Sequence, residues 1–467
     1  MIKKNTKIIA TLGPASSSAH ILKQMVHAGM NVVRLNFSHG KYSEFKDLIQ
    51  KIRQVSLETG VPIAIMQDLQ GPKIRIGEMP AQGIAIKKGA KITLTTKNMI
   101  GNSKTFPIQY KKLPKEVKRG DTILIDDGTI ELEVIYDRFQ NIYCKVLKGG
   151  IVKTHKGINV PGVTISADPI TAKDKKDAIF GIKNDVDYIA LSFVKCANDI
   201  IRLKKIIAKH HSKAKVIAKI ERPEAVRNLK NIMKVADGVM VARGDLGVEM
   251  PAETVPLTQK RIIHLANLYG KPVITATQIL QSMVENATPT RAEISDAANA
   301  VFDHTDAMML SNETAVGKYP VDAVKTLSRV ASVVEKNLQK DHDLLPTQKN
   351  LNLPVSNATA LNASKLAIDI NANAIVAVTL SGFTAQQISR HRIYIPIIAI
   401  TEDEKTKNQL ALVWGINPII QHKIDLKNAT QEVRNILIKK NLVQKGNKIV
   451  IVINASKDEK LINTIFI

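Results

Sequence analysis

The chain has 467 residues, of which 44% are hydrophobic and 4% aromatic, and its formal net charge is +25. This length predicts about three domains, and the absence of any long apolar run excludes a membrane span or a secretion signal, so we expect a cytoplasmic protein. The basic residues are spread along the chain without a basic tail, which favours solvated surface charge over a nucleic-acid site.

Eight short apolar strands come first, and most are followed by a segment of helical periodicity. In chain order they are KIIATLGP, NVVRLNFSHG, VPIAIMQDL, VDYIALSFV, KVIAKIE, DGVMVARGD, KPVITATQ and DAMMLSNET. Helix signals between them include residues 16–18 followed by a stop at Gly29, Asn198 as a cap for a run to His211, and an end at Gly270. Eight such units, running to about residue 340, predict a (β/α)8 TIM barrel.

One interval breaks this rhythm, between Asp68 at the end of the third strand and Asp187 before the fourth. The segment DTILIDDGTIELEVIYD alternates with the period of a strand, and Asp127 with Gly128 predicts a tight hairpin turn. We expect a small β-barrel lid domain at residues 71–168, inserted at the C-terminal face of the barrel, where barrel enzymes place their chemistry. The barrel itself would then comprise residues 1–70 and 169–342.

A polar linker with Pro346 and Pro354 follows the barrel. Beyond it, the strand-like AIVAVTL, IPIIAIT and KIVIVIN alternate with the helical ALNASKLAID and TAQQISRHR. This alternation predicts an open, mostly parallel α/β domain at residues 353–467. The two cysteines, Cys144 and Cys196, are far apart and lack a CxxC spacing, so we expect buried thiols rather than a disulfide or a zinc site.

If the barrel is correct, the polar residues that end its strands converge on one pocket. They are Arg34, Asn36, Ser38, Asp68, Lys219, Glu221, Arg243, Gly244, Asp245, Thr277, Gln278, Ser311 and Glu313. Within this set, Glu221 and Asp245 are carboxylates at neighbouring strand ends without a nearby His or Cys, which suits Mg2+ or Mn2+. The alternative is that they form buried salt bridges with Lys219 or Arg243.

Arg34 and Lys219 would be fixed cations for an anion. A divalent metal flanked by cations is what phosphoryl transfer requires. Because the chain has neither a Walker motif nor any GxG, a nucleotide must be held by other means. Arg75 and Lys156, near the two hinges of the lid, are candidate phosphate contacts, although each taken singly is typical of a solvated surface cation.

Several long motifs resemble the pyruvate kinase family over nearly the whole chain. They are NVVRLNFSHG, GINVPG, AKIERPEAV, VARGDLGVEMPAE, KPVITATQIL and PTRAEISDAANAVFDHTDAMMLSNETAVGKYP. The resemblance implies transfer of a phosphoryl group from phosphoenolpyruvate to ADP, giving pyruvate and ATP in the last step of glycolysis. It also implies an allosteric enzyme that is usually a homotetramer, without the extra phosphohistidine-type domain of some bacterial members.

The same resemblance implies roles for particular residues. Glu221 and Asp245 would hold the metal, Lys219 would stabilise the phosphoryl group in flight, and Arg34 would bind its oxygens. The backbone of Gly244 and Asp245, with the Thr277 hydroxyl, would receive the substrate carboxylate. Arg75, Lys156 and Asn36 would contact the nucleotide, and Thr277 and Ser311 with ordered water would relay the proton to the enolate.

Lys73 stands where potassium-dependent members of the family typically carry Glu, and Leu69 and Gln70 follow Asp68 where those members have Thr and Lys. Together with Ile76, this combination resembles potassium-independent members. The ammonium of Lys73 would replace a bound K+ in the region of Asn36, Ser38 and Asp68, so that K+ would not be required. The alternative is that Lys73 is a solvated hinge residue.

In the last domain, the loop TLSGFTAQQ resembles the family's site for an anionic effector. It keeps Thr379, Ser381, Gly382 and Thr384, but Leu380 and Phe383 stand where some members carry basic residues. An anionic allosteric ligand of unidentified structure is therefore expected. Two other functions stay open at this point: a metal-dependent pyruvate lyase or aldolase, and a catalytically inactive basic binding protein.

Overall fold

The computed structural model describes residues 4–338, 354–420, 428–454 and 460–466. The linker prediction around Pro346 therefore lies outside the described residues. Within those ranges, no helix combines the length and the apolar character needed to cross a bilayer.

The first barrel segment alternates strands and helices and is rich in Val, Ile and Ala. Its elements are β1 (Lys7–Thr11), α1 (Ala19–Ala28), β2 (Val32–Asn36), α2 (Tyr42–Thr59) and β3 (Ala64–Asp68). The signals for α1 are confirmed, because the Ser18 side chain accepts a hydrogen bond from Ile21 and Gly29 ends the helix in the left-handed conformation.

The inserted segment is almost entirely β structure. Its elements are β4 (Ile84–Ile86), β5 (Lys91–Thr95), β6 (Thr105–Pro107), α3 (Leu113–Glu116), β7 (Thr122–Ile125), β8 (Ile130–Arg138), β9 (Asn141–Lys148), β10 (Gly150–Val152) and β11 (Ile158–Asn159). A six-stranded sheet, in the order β11-β7-β8-β9-β5-β6, and the pair β10-β4 enclose a separate apolar core that includes Cys144. The turn between β7 and β8 is as predicted, since Asp127 and Gly128 both have positive φ values.

The second barrel segment continues the alternation. Its elements are α4 (Ala172–Lys183), β12 (Tyr188–Leu191), α5 (Ala197–Lys209), β13 (Lys215–Ile220), α6 (Pro223–Arg227), α7 (Leu229–Val235), β14 (Gly238–Ala242), α8 (Arg243–Glu249), α9 (Val255–Tyr269), β15 (Val273–Ala276), α10 (Arg291–Phe302), β16 (Ala307–Leu310), α11 (Asn312–Ala315) and α12 (Pro320–Leu338). Short 3-10 turns lie at Ala252–Thr254 and Gln281–Val284. The predicted cap of α5 was wrong, because Cys196 precedes the helix and Asp199, rather than Asn198, accepts from its backbone N–H. Cys196 is also only partly buried.

The eight parallel strands form a closed barrel in the order β1-β16-β15-β14-β13-β12-β3-β2, which confirms the predicted fold. Strands β3 and β12 pair directly, with Tyr188 opposite Met66, although the whole lid separates them in sequence. The insertion therefore leaves the barrel intact and places the lid over its C-terminal face.

The last segment is an open α/β domain, as predicted. Its elements are α13 (Val355–Asp369), β17 (Ala374–Val378), α14 (Phe383–Ser389), β18 (Ile397–Thr401), α15 (Glu404–Leu410), β19 (Ile416–Ile420), α16 (Ala429–Lys439), β20 (Lys448–Asn454) and β21 (Lys460–Phe466). The sheet order is β19-β18-β17-β20-β21, with only the last pair antiparallel. Ala411 and Leu412 of this domain join the apolar core inside the barrel, and the Tyr188 hydroxyl donates to the Gln409 carbonyl. The C-terminal domain therefore closes the end of the barrel opposite the lid.

Candidate active site

An open cleft of about 580 Å³ lies at the C-terminal ends of the barrel strands, beneath the hinges of the lid. Its charged lining residues are Arg34, Asp68, Lys73, Arg75, Lys219, Glu221 and Asp245. Asn36 and Ser38 also line it. Parallel strands thus bring together residues that are up to about 200 positions apart in the sequence, as the strand-end rule predicts.

Lys219 is the centre of a buried ionic network. Its Nζ lies 2.8 Å from Oε1 of Glu221 and 3.2 Å from Oδ1 of Asp68, and it donates to the Ser192 hydroxyl at 2.7 Å. Burial alone would lower the pKa of Lys219, but the negative charges of Asp68 and Glu221 outweigh burial and raise it above its ordinary value. Lys219 is therefore a permanent cation at neutral pH.

Asp68 joins Lys219 to the second cation of the cleft, Arg34. Its Oδ2 accepts from Nε of Arg34 at 2.7 Å, and the Arg34 NH1 group donates to the hydroxyl of Thr11 at 3.1 Å. Burial alone would raise the pKa of Asp68, but Lys219 and Arg34 outweigh it and keep the pKa below its ordinary value. The two cations are thus held at fixed positions by one ionised carboxylate.

The carboxylates of Glu221 and Asp245 differ in their surroundings. Oε2 of Glu221 accepts from the backbone N–H of Phe193 at 2.7 Å, while its Oε1 faces Lys219. In the described part of the chain, the Asp245 side chain makes neither a hydrogen bond nor an ion pair. Burial and the negative charge of Glu221 raise the pKa of Asp245 to about 6, although Lys219 and Lys73 act in the opposite direction. An unpaired carboxylate repelled by a second one is a donor set that suits a hard divalent cation.

Neither of the two predicted salt-bridge partners neutralises this pair completely. Arg243 points elsewhere: its NH1 group donates to Asp296 at 2.6 Å and its NH2 group to the Thr277 carbonyl at 2.7 Å. Lys219 does pair with Glu221, but it shares its charge with Asp68. Among the described residues, no group of three or more His, Cys, Asp or Glu side chains is arranged to hold a metal. A metal here would therefore need further ligands from substrate or water.

Thr277 follows β15 and contacts the first turn of α8. Its hydroxyl accepts from the Gly244 backbone N–H at 2.7 Å and donates to the Ala276 carbonyl at 2.6 Å. Both Thr277 and Gln278 have positive φ values, 71° and 53°. Such a conformation is costly for a β-branched residue and typically occurs at functional sites.

Of the remaining predicted residues, Ser311, Glu313 and Lys156 lie around the cleft rather than in its lining. The Ser311 backbone N–H donates to Oε2 of Glu313, whose Oε1 accepts from Leu280, so Glu313 orders the backbone of two strand ends. Lys156 forms an ion pair of 2.8 Å with Asp126 in the lid hairpin. Arg75 does line the cleft, and its NH1 group donates to the His155 carbonyl at 2.9 Å.

Lys73 lies where the lid leaves the barrel. The two hinge segments pair with each other, since Ile76 donates to the Lys156 carbonyl and Ile158 to the Ile74 carbonyl, both at 2.9 Å. A Cβ atom on Gly157 would lie 3.0 Å from Cε of Lys73, so glycine permits this close approach. Within the described part of the chain, the Lys73 ammonium has no hydrogen bond or ion pair, and it faces the cleft.

Sequence reasoning missed several residues that complete the site. Ser192 and Phe193 directly follow β12 and hold Lys219 and Glu221. His39 lines the cleft, and Thr11 at the end of β1 holds Arg34. The rule that polar residues at strand ends face the site would have identified Ser192 and Thr11. The role of Phe193 could not be read from its side chain, because it acts through its backbone N–H.

The fold and the cleft define a barrel enzyme whose site suits a divalent metal and an anionic substrate. Family models agree: one for the pyruvate kinase barrel domain matches residues 3–324, and one for the pyruvate kinase alpha/beta domain matches residues 357–467. The chain belongs to the pyruvate kinase family. Members of this family bind phosphoenolpyruvate and ADP and generally use Mg2+ or Mn2+.

Individual relatives support the same conclusion. A pyruvate kinase from Geobacillus stearothermophilus is 43% identical over 457 residues, covering 96% of this chain and 77% of the relative. One from Clostridium acetobutylicum is 41% identical over 454 residues, covering 96% of this chain and 95% of the relative. The crystal structure of a pyruvate kinase from Cryptosporidium parvum superposes with a TM-score of 0.93 at 35% identity, covering 99% of this chain and 96% of that one. The chain is thus a phosphotransferase of glycolysis, and the lyase and binding-protein alternatives find no support.

Proposed function

We propose that Glu221 and Asp245 bind Mg2+ or Mn2+ and that Lys219 and Arg34 bind the phosphoryl group of phosphoenolpyruvate. The observation that carries this proposal is the unpaired carboxylate of Asp245 beside Glu221, with Lys219 2.8 Å from Glu221 in the same cleft. When bound, the metal supplies positive charge to the phosphoryl oxygens. Lys219 and Arg34 add fixed positive charge that needs no reorganisation as the phosphoryl group moves.

The substrate carboxylate, in this proposal, binds at the backbone of Gly244 and Asp245 together with the hydroxyl of Thr277. The Gly244 N–H is bonded to the Thr277 hydroxyl, so it must exchange that partner for the substrate. The hydroxyl can follow, because a threonine oxygen both donates and accepts. The strained backbone of Thr277 supports a role in which its orientation matters.

Protonation of the enolate is assigned to Thr277 and Ser311 through ordered water. Lys219 is a poor candidate for this acid, because Asp68 and Glu221 hold its pKa above the ordinary lysine value. A proton lost from Lys219 would also leave the buried carboxylate of Glu221 without its counter-ion, and Asp68 with Arg34 alone. A hydroxyl relay avoids both costs.

The nucleotide is assigned to Asn36, Arg75 and Lys156, at the boundary between barrel and lid. Arg75 has the strongest support, because its side chain lines the cleft. Lys156 would have to break its ion pair with Asp126. Because this ion pair is partly exposed to solvent, breaking it costs little free energy. Movement of the lid toward the barrel would bring Lys156 closer to the bound phosphates and exclude water.

We further propose that the enzyme does not require K+, because Lys73 supplies a tethered positive charge near Asn36, Ser38 and Asp68. Support comes from its place in the lining of the cleft and from its influence on Asp245, whose pKa it lowers. A covalently attached cation has no entropy of recruitment to overcome.

We propose three domains: the barrel, residues 1–70 with 169–342; the lid, residues 71–168; and the C-terminal α/β domain, residues 353–467. We also propose that the enzyme is a cytoplasmic homotetramer.

An anionic effector, in this proposal, binds the loop around Thr379, Ser381 and Thr384. In support of the effector, Thr379 accepts from the Gly382 backbone N–H at 3.0 Å, which shapes a turn at the start of α14. Leu380 is 67% exposed and offers no charge to such a ligand.

Mn2+ binding measured by electron paramagnetic resonance tests the assignment of the metal-binding residues without relying on turnover. Glu221→Gln and Asp245→Asn should each weaken Mn2+ binding by about tenfold or more. Glu313→Gln is the control, because its carboxylate only orders backbone groups. Unchanged Mn2+ affinity in both cleft variants would contradict the assignment.

A further inference from the structure

The segment by which the chain leaves the lid is fastened to the barrel by two cations that have no role in the chemistry above. The NH2 group of Arg222 donates to the Val163 carbonyl at 3.0 Å. The Lys195 ammonium donates to the carbonyls of Ile165 and Ala167 at 3.2 and 3.0 Å. Three alternate carbonyls of the return hinge are thus held by barrel side chains.

A second contact joins the lid to helix α8. Nδ2 of Asn159, in lid strand β11, donates to Oε1 of Glu249 at 2.8 Å. Glu249 is the last residue of α8, whose first turn contains Asp245. Arg222 follows Glu221 directly at the end of β13. The lid is therefore attached beside both carboxylates assigned to the metal.

Arg222 and Glu249 form a long ion pair but no hydrogen bond. Their ion-pair distance, from NH2 to Oε2, is 3.7 Å, and the side chains are only 8% and 5% exposed. Nε of Arg222 and Oε2 of Glu249 have no hydrogen-bond partner among the described residues, and the ion pair of Nε with Oε2 of Glu224 is also long, at 3.5 Å. Burial raises the pKa of Glu249, which the charge of Arg222 only partly offsets. Buried charged atoms that lack a hydrogen bond are unfavourable, so an arrangement in which the Arg222 guanidinium donates to Oε2 of Glu249 would be favoured.

There is room for that rearrangement. A small cavity of about 20 Å³ lies at this boundary, lined by Lys73, Asn159, Phe193, Lys195, Arg222 and Glu249 among others, which is enough for a sub-ångström shift of side chains. A charge-assisted hydrogen bond would need the NH2 group of Arg222 and Oε2 of Glu249 to approach by about 0.8 Å from their 3.7 Å separation. Because Val163 holds Arg222 and Asn159 holds Glu249, a small shift of the lid moves one side chain relative to the other.

We propose that Arg222 and Glu249 form a latch that couples docking of the lid to the position of the metal-binding carboxylates Glu221 and Asp245. Both are positioning residues, because neither lines the cleft. The latch rests on the proposed assignment of those carboxylates and deepens it. Docking of the lid completes the Arg222–Glu249 bond, draws the end of β13 toward α8 and keeps water out while the phosphoryl group moves to ADP.

The ratio of pyruvate to ATP formed from phosphoenolpyruvate and ADP distinguishes a latch from an ordinary structural contact. Transfer to ADP gives one pyruvate for each ATP, whereas transfer to water breaks the same P–O bond and gives pyruvate and inorganic phosphate. A variant that is merely less stable loses both activities together and keeps the ratio at one. A variant with a loose lid admits water and raises the ratio.

The experiment compares Arg222→Met, Arg222→Lys and Glu249→Gln with the control Arg119→Met, an exposed arginine of the lid. We expect Arg222→Met to raise the ratio above one and the KM for ADP by about tenfold. Arg222→Lys should give a ratio and a KM for ADP between those of Arg222→Met and the wild type, because lysine keeps the positive charge but lacks the several N–H donors of the guanidinium group. A ratio of one and a KM for ADP within twofold of the wild type, in both Arg222→Met and Glu249→Gln, would overturn the latch.

If Arg222→Met does not fold, Asn159→Ala provides the same test from the half-buried lid side. The metal dependence of wild-type turnover distinguishes failure of the proposed site from failure of the latch. Wild-type turnover that does not depend on a divalent metal would overturn the proposed site. Metal-dependent wild-type turnover with unaltered variants would overturn the latch alone.

Discussion

The ammonium of Lys219 lies 2.8 Å from Oε1 of Glu221, two residues further along the same chain segment. Alternate residues of a strand project to the same side, so this strand presents a cation and a carboxylate together to the cleft. Asp68 binds the same ammonium from the neighbouring side of the barrel. The site therefore holds the cation to which we assign the catalytic role in place before any substrate arrives, which is the preorganisation that electrostatic catalysis requires.

Replacing Lys219 by Met should lower kcat more than a hundredfold while the affinity for phosphoenolpyruvate changes only a few-fold. The reason is that, in the proposed site, Arg34 and the metal would still bind the substrate, whereas the moving phosphoryl group would lose a fixed positive charge. Steady-state kinetics and equilibrium binding measure the two quantities. Lys215→Met, at the opposite end of the same strand, is the control, and retention of more than a hundredth of the turnover would contradict the role.

The unpaired carboxylate of Asp245 should destabilise the metal-free protein at neutral and alkaline pH. Its pKa in the fold is about 6, against an ordinary value of 3.8, so the folded state binds the proton more tightly than the unfolded state does. The destabilisation therefore appears as pH rises from about 4 through 6 and reaches about 2–3 kcal/mol above that range. After treatment with EDTA, Asp245→Asn should unfold at a higher temperature than the wild type at pH 8, with the gain vanishing near pH 4. An equal gain at both pH values would show that charge is not the cause.

Lys73 should make turnover independent of K+. The wild type should be as active in tetramethylammonium chloride as in KCl at equal ionic strength, because the tethered ammonium replaces the free ion. Lys73→Glu should lose activity in tetramethylammonium chloride and recover part of it in KCl. Arg119→Glu controls for the same change of charge on the lid surface. Strong activation of the wild type by K+ would contradict the proposal that Lys73 replaces K+.

Nucleotide binding can be separated from substrate binding at the lid hinges. Arg75→Ala and Lys156→Ala should each raise the KM for ADP several-fold and leave the KM for phosphoenolpyruvate nearly unchanged. Arg75 should have the larger effect, because it already lines the cleft whereas Lys156 must leave Asp126. Lys153→Ala, an exposed lid lysine, should change neither constant. Equal changes in both KM values would point to distortion of the cleft instead.

Much of the fold follows from local patterns. The eight barrel strands, the hairpin at Asp127–Gly128 and the helix end at Gly270 were all predictable, because strand period and backbone conformation are properties of short segments. In the C-terminal domain, β19 was missed, since a five-residue strand containing Pro418 carries little strand signal.

Contacts between distant segments could not be predicted in the same way. The pairing of Arg243 with Asp296 rather than with a cleft carboxylate depends on where α10 packs. Ser192 and the Phe193 backbone reach Lys219 and Glu221 only because β12 lies beside β13 in the closed barrel. The latch between Arg222 and Glu249 likewise needs the lid in place. Sequence patterns give the strand ends, and three-dimensional packing decides which of them interact.

The most direct test of the account is the Mg2+ dependence of the coupled assay for pyruvate and ATP, run with the wild type and Asp245→Asn. If the proposed metal site is correct, the wild type should form no ATP from phosphoenolpyruvate and ADP in EDTA. The proposed site also predicts a Mg2+ concentration for half-maximal activity about tenfold or more higher in the variant. ATP formation without any divalent metal, or an unchanged Mg2+ requirement in Asp245→Asn, would contradict it.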